Sequence, residues 1–371
     1  MTSTIRDVAD RAGVSTATVS RVLSGAAPGR PATARRVVAA ARELGYRPSG
    51  IARSLKRRRT RTLGLIITDI QNPFYPELVR AVEDAARAVG HSVLLVNGAE
   101  DPERERRALE ELADRWVDGI IIAASQMTAR HTDWLASATI PIALVNSRLP
   151  TDAIPAILSD NRSGGRLAAE HLLGLGHRRI GYLTAPPANA AVAERLAGTR
   201  DALRAAGLDA GSLPLQEGDG HVSGGQAAME RLLAAHPDLT AVVCYNDLTA
   251  IGAMRALRAA GRSIPQDVSV VGFDGIDLAG YVEPPLTTVA QQTREMGRWA
   301  VETVLARLEE GAAPRSGAVL LSVALRRGGS TGPACVHERQ SVAPDTDPDR
   351  PERARREPRT GAAVAGQRTG D

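Results

Sequence analysis

Asp69, Asn72, Asn146, Asn246 and Asp274 supply carboxylates and amides, Arg195 a forked donor, Gln291 a further amide, and Phe74 with Tyr75 two flat apolar faces. Groups of these types can hold a small polar molecule without reacting with it. Planar donors and acceptors around an aromatic wall suit a sugar, whose ring has an apolar face and a rim of hydroxyls. Most of these residues stand just past apolar runs of strand length, where open α/β sheets collect their ligands. Each also has a plainer reading as a cap or turn residue; Asn72, directly before Pro73, is equally suited to start a turn.

A second set lies near the amino terminus. Ile5, Val8, Ala9 and Ala12 recur at spacings of three and four, which places them on one face of a short helix that Gly13 ends. Val14 can pack under the turn, and Ser15 is a good N-cap for a second helix that buries Val19, Val22 and Leu23. Two short helices across a tight glycine turn make a helix-turn-helix. In that unit Ser15, Thr16, Ala17, Ser20 and Arg21 point at the major groove, where a hydroxyl, a methyl and a guanidinium can meet base edges and phosphates. A third helix is expected from Pro31 to Leu44, stopped by Gly45. The charge agrees with a polyanion partner. The first 62 residues hold thirteen Arg and Lys56 against Asp7, Asp10 and Glu43, a net +11, which leaves −7 for the rest of a chain whose total is +4. A basic module of this kind binds DNA through counterion release, while an acidic body avoids smearing along it.

Other chemistry finds little support. Lys56 is the only lysine and lies in a basic linker, so no phosphate-binding loop can carry its lysine, and no Gly-x-Gly-x-x-Gly opens a helix after a strand. Gly328-Gly329-Ser330-Thr331-Gly332 matches a nucleophile elbow but precedes a polar tail instead of the helix an elbow requires. No histidine spacing suggests a metal, and His177, beside Arg178 and Arg179, reads as a loop residue. Neither a cofactor nor a metal is expected. Cys244 and Cys335 have no spacing for zinc or a disulfide framework, and Met1 leads straight into Thr2, Ser3, Thr4, Ile5 and Arg6, so reduced thiols and a cytoplasmic location are expected.

The elements that must position these residues follow from the apolar patterning. A chain of 371 residues, 43% hydrophobic and 24% charged, has room for a small module and a larger globular one. Strand-length runs at 63–68, 92–97, 119–123 and 142–145 alternate with helical patterns and predict the parallel sheet of a first lobe. The pattern restarts with strands at 180–184, 241–244 and 268–273 and helices near 164–174, 195–206, 224–235 and 249–260, a second lobe whose strand ends would face the first across a cleft.

The motifs Thr4-Ile5-Arg6-Asp7-Val8-Ala9, Ala12-Gly13-Val14-Ser15, Thr18-Val19-Ser20-Arg21-Val22-Leu23, Glu43-Leu44-Gly45-Tyr46 and Ala52-Arg53-Ser54-Leu55 resemble the LacI/GalR family of bacterial transcription regulators. The likeness continues through Asp69-Ile70-Gln71-Asn72-Pro73-Phe74, Val117-Asp118-Gly119-Ile120-Ile121, Leu175-Gly176-His177-Arg178-Arg179-Ile180, Asn246-Asp247, Val270-Val271-Gly272-Phe273-Asp274 and Pro285-Leu286-Thr287-Thr288-Val289, in family order. The resemblance implies an α-helical helix-turn-helix headpiece at 1–48, a hinge helix and linker at 49–60, and an α/β two-lobed periplasmic-binding-protein-like body at 61–332 with parallel sheets flanked by helices. A tail at 333–371, rich in Pro, Arg and Asp, is expected to be disordered. It implies a ligand-responsive repressor of sugar-uptake or catabolic genes that binds a palindromic DNA operator as a homodimer, not an enzyme. The DNA contacts would fall on Thr4, Ser15, Thr16, Ala17, Thr18, Ser20, Arg21, Ala52, Leu55 and Lys56, with Leu55 the wedge that kinks the minor groove. Asn72, Phe74, Tyr75, Arg195, Asn246, Asp274 and Gln291 match positions that hold the sugar in ribose-type relatives. Asn146-Ser147 replaces the usual Asp-Arg pair and Gly220-His221 falls where an aromatic often stacks, and both departures weaken the case for a plain pentose. The absence of a leucine heptad favours a dimer over a tetramer.

Overall fold

The computed structural model describes residues 3–23, 30–46, 59–115, 117–123, 135, 138–149, 154–187, 190–309 and 317–334. Ala52, Leu55 and Lys56, the hinge helix expected at 49–56 and the tail beyond residue 334 lie outside them.

Three helices form the amino-terminal module: α1 (Ile5–Ala12), α2 (Thr16–Leu23) and α3 (Pro31–Glu43). Thr4 and Asp7 cap α1 reciprocally, the Thr4 hydroxyl accepting from the Asp7 N–H and the Asp7 carboxylate from the Thr4 N–H. Gly13 ends α1 at φ 60°, a left-handed conformation that turns its N–H back onto the carbonyls of Ala9 and Asp10. Ser15 Oγ then accepts from the Thr18 N–H at 3.2 Å and starts α2. Val8, Ala9, Ala12, Val19, Val37, Ala40 and Ala41 form the buried core, with Val14, Val22 and Leu23 partly buried around it. Arg11 of α1 grips the Glu43 carboxylate of α3 with Nε and Nη2.

The first lobe is a sheet in the order β11-β5-β4-β3-β1-β2, every pairing parallel. Its strands are β1 (Thr62–Ile67), β2 (Ser92–Asn97), β3 (Gly119–Ala123), β4 (Ile142–Val145), β5 (Ala156–Ser159) and β11 (Ala318–Leu321), and its helices α4 (Phe74–Ala88), α5 (Pro102–Asp114) and α10 (Thr293–Ala306). Along β1, Leu63, Leu65 and Ile67 pack with Leu78, Val82 and Met296 of α4 and α10, whereas Ile66 packs on the other face with Leu109 and Leu112 of α5. Burial on both faces explains why these strands read as continuous apolar runs.

The second lobe has the order β12-β10-β9-β8-β6-β7, parallel except for the antiparallel β12. It contains β6 (Ile180–Thr184), β7 (Leu215–Glu217), β8 (Ala241–Cys244), β9 (Ser269–Asp274), β10 (Thr287–Ala290) and β12 (Ala324–Arg326), between α6 (Asn161–Gly174) with α7 (Ala190–Ala205) and α8 (Val222–Ala235) with α9 (Asp247–Ala259). The seven expected strands are present within one residue at either end. Strands β5, β7, β10, β11 and β12 and helices α4, α5 and α10 add to the expected set. The last strands belong to both lobes because the chain crosses between them three times: after β5, after β10 through α10, and between β11 and β12.

Candidate ligand cleft and nucleic-acid interface

Strand ends place the polar residues. Asp69 follows β1, Asn146 follows β4, Asp274 is the last residue of β9 and Gln291 follows β10. Asn246 follows β8 and caps α9, its Oδ1 accepting from the Thr249 N–H at 2.8 Å. Asn72 does start a turn, its Oδ1 accepting from the Phe74 N–H at 3.1 Å, and the helix it opens sets the Phe74 and Tyr75 rings edge to face at 5.4 Å. These residues and Arg195 line one cavity of about 240 Å³ between the lobes. Thus all nine residues singled out for ligand contact converge there. Glu100, Asp219 and Tyr245 line it too, beyond those nine, as does His221, which stands where an aromatic is expected. Glu100 was within reach of sequence reasoning, since it lies just past β2.

Arg195 is the buried cation of the cleft, 5% exposed. Its Nε donates to Asn161 Oδ1 at 2.9 Å, and its Nη1 to the Tyr245 carbonyl at 2.8 Å and to Asp274 Oδ1 at 3.4 Å. The guanidinium carbon lies 3.6 Å from the Phe273 ring centroid, a cation–π contact strengthened by the lack of water. Helix α7 can bring Arg195 so deep because it touches α6 backbone to backbone. A Cβ on Gly165 would lie 2.0 Å from the Arg195 carbonyl oxygen, and one on Gly198 would lie 1.9 Å from that of Arg162.

Asp274 takes a φ of 118°, a left-handed backbone that a side chain adopts only under constraint. The constraint is visible in the next two residues. The N–H groups of Gly275 and Ile276 donate to Asp247 Oδ2 at 2.8 and 2.9 Å, and Thr288 Oγ1 donates to Asp247 Oδ1. Burial pushes the Asp274 carboxyl up to about 6, against the opposing pull of Arg195 and the hydrogen bond from Gln291. Burial, then repulsion from Asp274, raises Asp247 as well. Gln291 joins the lobes. Its Oε1 accepts from Asn146 Nδ2 at 2.8 Å and Ser159 Oγ at 2.6 Å on the first lobe, and its Nε2 donates to Asp274 Oδ1 at 2.7 Å on the second.

On the headpiece, Thr16, Ala17 and Arg21 are exposed side by side on α2, with Ser20 half-buried among them. Thr4 and Ser15 are exposed and Thr18 half-buried, and their hydroxyls are engaged in the α1 and α2 caps. The elbow-like Ser330 is fully buried: its Oγ donates to the Val270 carbonyl at 2.6 Å and accepts from the Thr287 N–H at 2.8 Å, so it fastens the end of the body to β9 and β10. His177 lies in a loop as expected, yet it is buried, within 3.0 Å of Thr240 Oγ1, Ser269 Oγ and the Gly332 carbonyl. Burial lowers its pKa, which favours the neutral ring.

A family profile described as bacterial regulatory proteins of the lacI family matches residues 4–49, and one described as periplasmic binding proteins and sugar binding domain of LacI family matches residues 60–321. The chain belongs to the LacI family. Among its curated relatives, the HTH-type transcriptional repressor PurR of Aliivibrio salmonicida is 35% identical over 309 residues, 83% of this chain and 93% of the relative. The ribose operon repressor of Halalkalibacterium halodurans is 36% identical over 308 residues, 83% of this chain and 91% of the relative. A solved structure of the lac repressor dimer bound to operator and the anti-inducer ONPF matches with a TM-score of 0.81 at 29% identity, covering 90% of this chain and all of that one. This LacI-family chain is therefore a DNA-binding transcriptional regulator with a ligand-binding body, and not an enzyme. Among the described residues no helix is long and apolar enough to cross a membrane.

Proposed function

We propose that this regulator is a cytoplasmic repressor of sugar-uptake or catabolic genes, binding a pseudo-palindromic operator as a homodimer and switched by a sugar or sugar derivative in the cleft. One observation carries the effector reading: nine residues from both lobes, drawn together from positions 69 to 291, line a single cavity that holds the buried Arg195–Asp274 pair. The ribose operon repressor among its relatives and the operator-bound lac repressor dimer support the sugar class and the dimer. Thr16, Ala17, Ser20 and Arg21 read base edges and phosphates, Thr4, Ser15 and Thr18 hold the two helices on the duplex, and Ala52, Leu55 and Lys56 act in the minor groove beside them.

The switch is a change in lobe angle. An effector shifts the equilibrium only by its different affinity for the two lobe arrangements, and the arrangement that separates the two hinge segments weakens operator binding. Gln291, bonded to Asn146, Ser159 and Asp274 across the lobes, is the side chain that such a change must disturb. A thermal-shift screen of the full chain against sugars and nucleosides tests the effector reading, since a cognate ligand stabilises the native state by mass action. Leu55→Ala should lower operator affinity in a salt titration while leaving ligand affinity intact; unchanged operator binding would remove the wedge.

A further inference from the structure

The cleft contains a second group of ionisable side chains, separate from the Arg195–Asp274 pair. Asp69 is only 8% exposed; its Oδ1 accepts from the Gln71 N–H, but its Oδ2 is buried in the cavity wall with no hydrogen-bond partner. The nearest opposite group is His221 Nδ1 at 4.0 Å, too far for a hydrogen bond. On its other side, His221 Nε2 stands 3.9 Å from Glu100 Oε1. Glu100 is held there by two consecutive left-handed residues, Ala99 at φ 52° and Glu100 at φ 59°, and by its N–H on the Thr68 carbonyl. Asp219 lines the same cavity. Among the described lining residues the one permanent cation is Arg195, and its charge is already directed at Asp274 and the Phe273 ring.

We propose that Asp69, Glu100 and His221 form a charge-selecting subsite. A ligand hydroxyl or ammonium donates to Asp69 Oδ2, and anionic sugars such as sugar phosphates and uronates are excluded. The inference rests on the cleft being the effector site. A buried carboxylate oxygen without a donor is costly, and a ligand donor is the group that would relieve it. An anionic substituent would meet the buried Asp69 carboxylate with Glu100 and Asp219 beside it, and among the described lining residues Arg195, already paired with Asp274, is the permanent cation. The shared chemistry is the donor, and a neutral sugar and an amino sugar both carry it.

The test uses the full chain at fixed pH and salt, with thermal shift and calorimetry against matched probes: glucose, glucosamine, glucuronate and glucose 6-phosphate, and ribose beside ribose 5-phosphate. Stabilisation by a neutral or amino member, with its anionic counterpart at least roughly tenfold weaker, is the expected result. Glucosamine above glucose would place an ammonium on Asp69, and the reverse a hydroxyl. Asp69→Asn should weaken the bound sugar roughly 10- to 100-fold, the loss of one hydrogen bond to a charged group, and Asp69→Asn with Glu100→Gln should narrow the gap to the anionic probe. Operator retention by the unliganded variants reports that they fold. A panel in which only anionic members bind, or none, overturns the proposal. So does unchanged affinity in Asp69→Asn. If Arg195→Met abolishes binding while Asp69→Asn does not, the subsite fails and the cleft stands; if neither variant alters binding, the cleft assignment itself fails.

Discussion

Asp274 is a residue whose environment works against its own charge, and the consequence for stability has a definite sign. Its folded pKa, raised from 3.8 to about 6, lies above the ordinary value, so the folded state holds the proton more tightly than the unfolded one. Ionising it costs stability progressively as pH rises from 3.8 to about 6, and the cost is constant above that. Asp274→Asn removes this term. Melting curves from pH 4 to 8 should show the variant gaining on the parent as pH rises, first where Asp274 ionises and then where Asp247, relieved of its repulsion, ionises more readily, while ligand binding is lost; a pH-independent difference would contradict the assignment. Gln291→Ala strands Asn146 Nδ2 and Ser159 Oγ at once and leaves Asp274 Oδ1 only its longer bond from Arg195. It should cost about 2 kcal/mol of stability and leave operator retention insensitive to a ligand that still binds. The residue types were legible in the sequence, because carboxylates and amides past strand ends have few other uses. The orphaned Asp69 oxygen and the left-handed Asp274 were not, since both depend on atoms far along the chain.

At the scale of elements, Gly165 and Gly198 decide where Arg195 can stand. Gly165→Ala would put a methyl 2.0 Å from the Arg195 carbonyl oxygen, so α6 and α7 must separate. The expected outcome is a lower melting temperature together with weaker ligand binding, and a variant that melts lower but binds normally would show that the helix contact does not place Arg195. Among the described residues of the headpiece seven apolar side chains are buried, so each matters. Val19, fully buried, is the α2 anchor among them. Val19→Ala should destabilise the headpiece by about 2 kcal/mol and weaken operator binding without altering ligand affinity, as circular dichroism and retention on operator DNA would report. Helices α1 to α3 and seven strands were readable from apolar spacing. Strands β5 and β10 were not, because Ser159, Thr287 and Thr288 interrupt their apolar runs, nor were β7, β11 and β12, which lie at sheet edges and are at most half-buried.

For the whole molecule, charge asymmetry and the three lobe crossings set the behaviour. With +11 on the first 62 residues, operator affinity should fall steeply and linearly with log salt, whereas ligand affinity in the −7 remainder should hardly respond. Calorimetry and operator retention across a salt series would check both, and parallel slopes would argue against a separate reading head. Because the chain passes between lobes at β5, β10 and β11, a change in lobe angle is confined to those connections. Gln291 sits at the second of them, bonded to Asp274 on one lobe and Asn146 on the other, so the proposed effector would act on their angle there.

The sequence by itself determined the headpiece, the alternation of strand and helix, the charge division and the identity of the nine cleft residues. Each of these is a local property: periodicity, caps, composition, or position after an apolar run. The tertiary structure alone decided which acceptors are left without donors, that Ser330 and His177 are fastened inside the body, and that His221 joins the cleft. Those outcomes depend on burial and on distances between segments separated by scores of residues, and no local pattern encodes them.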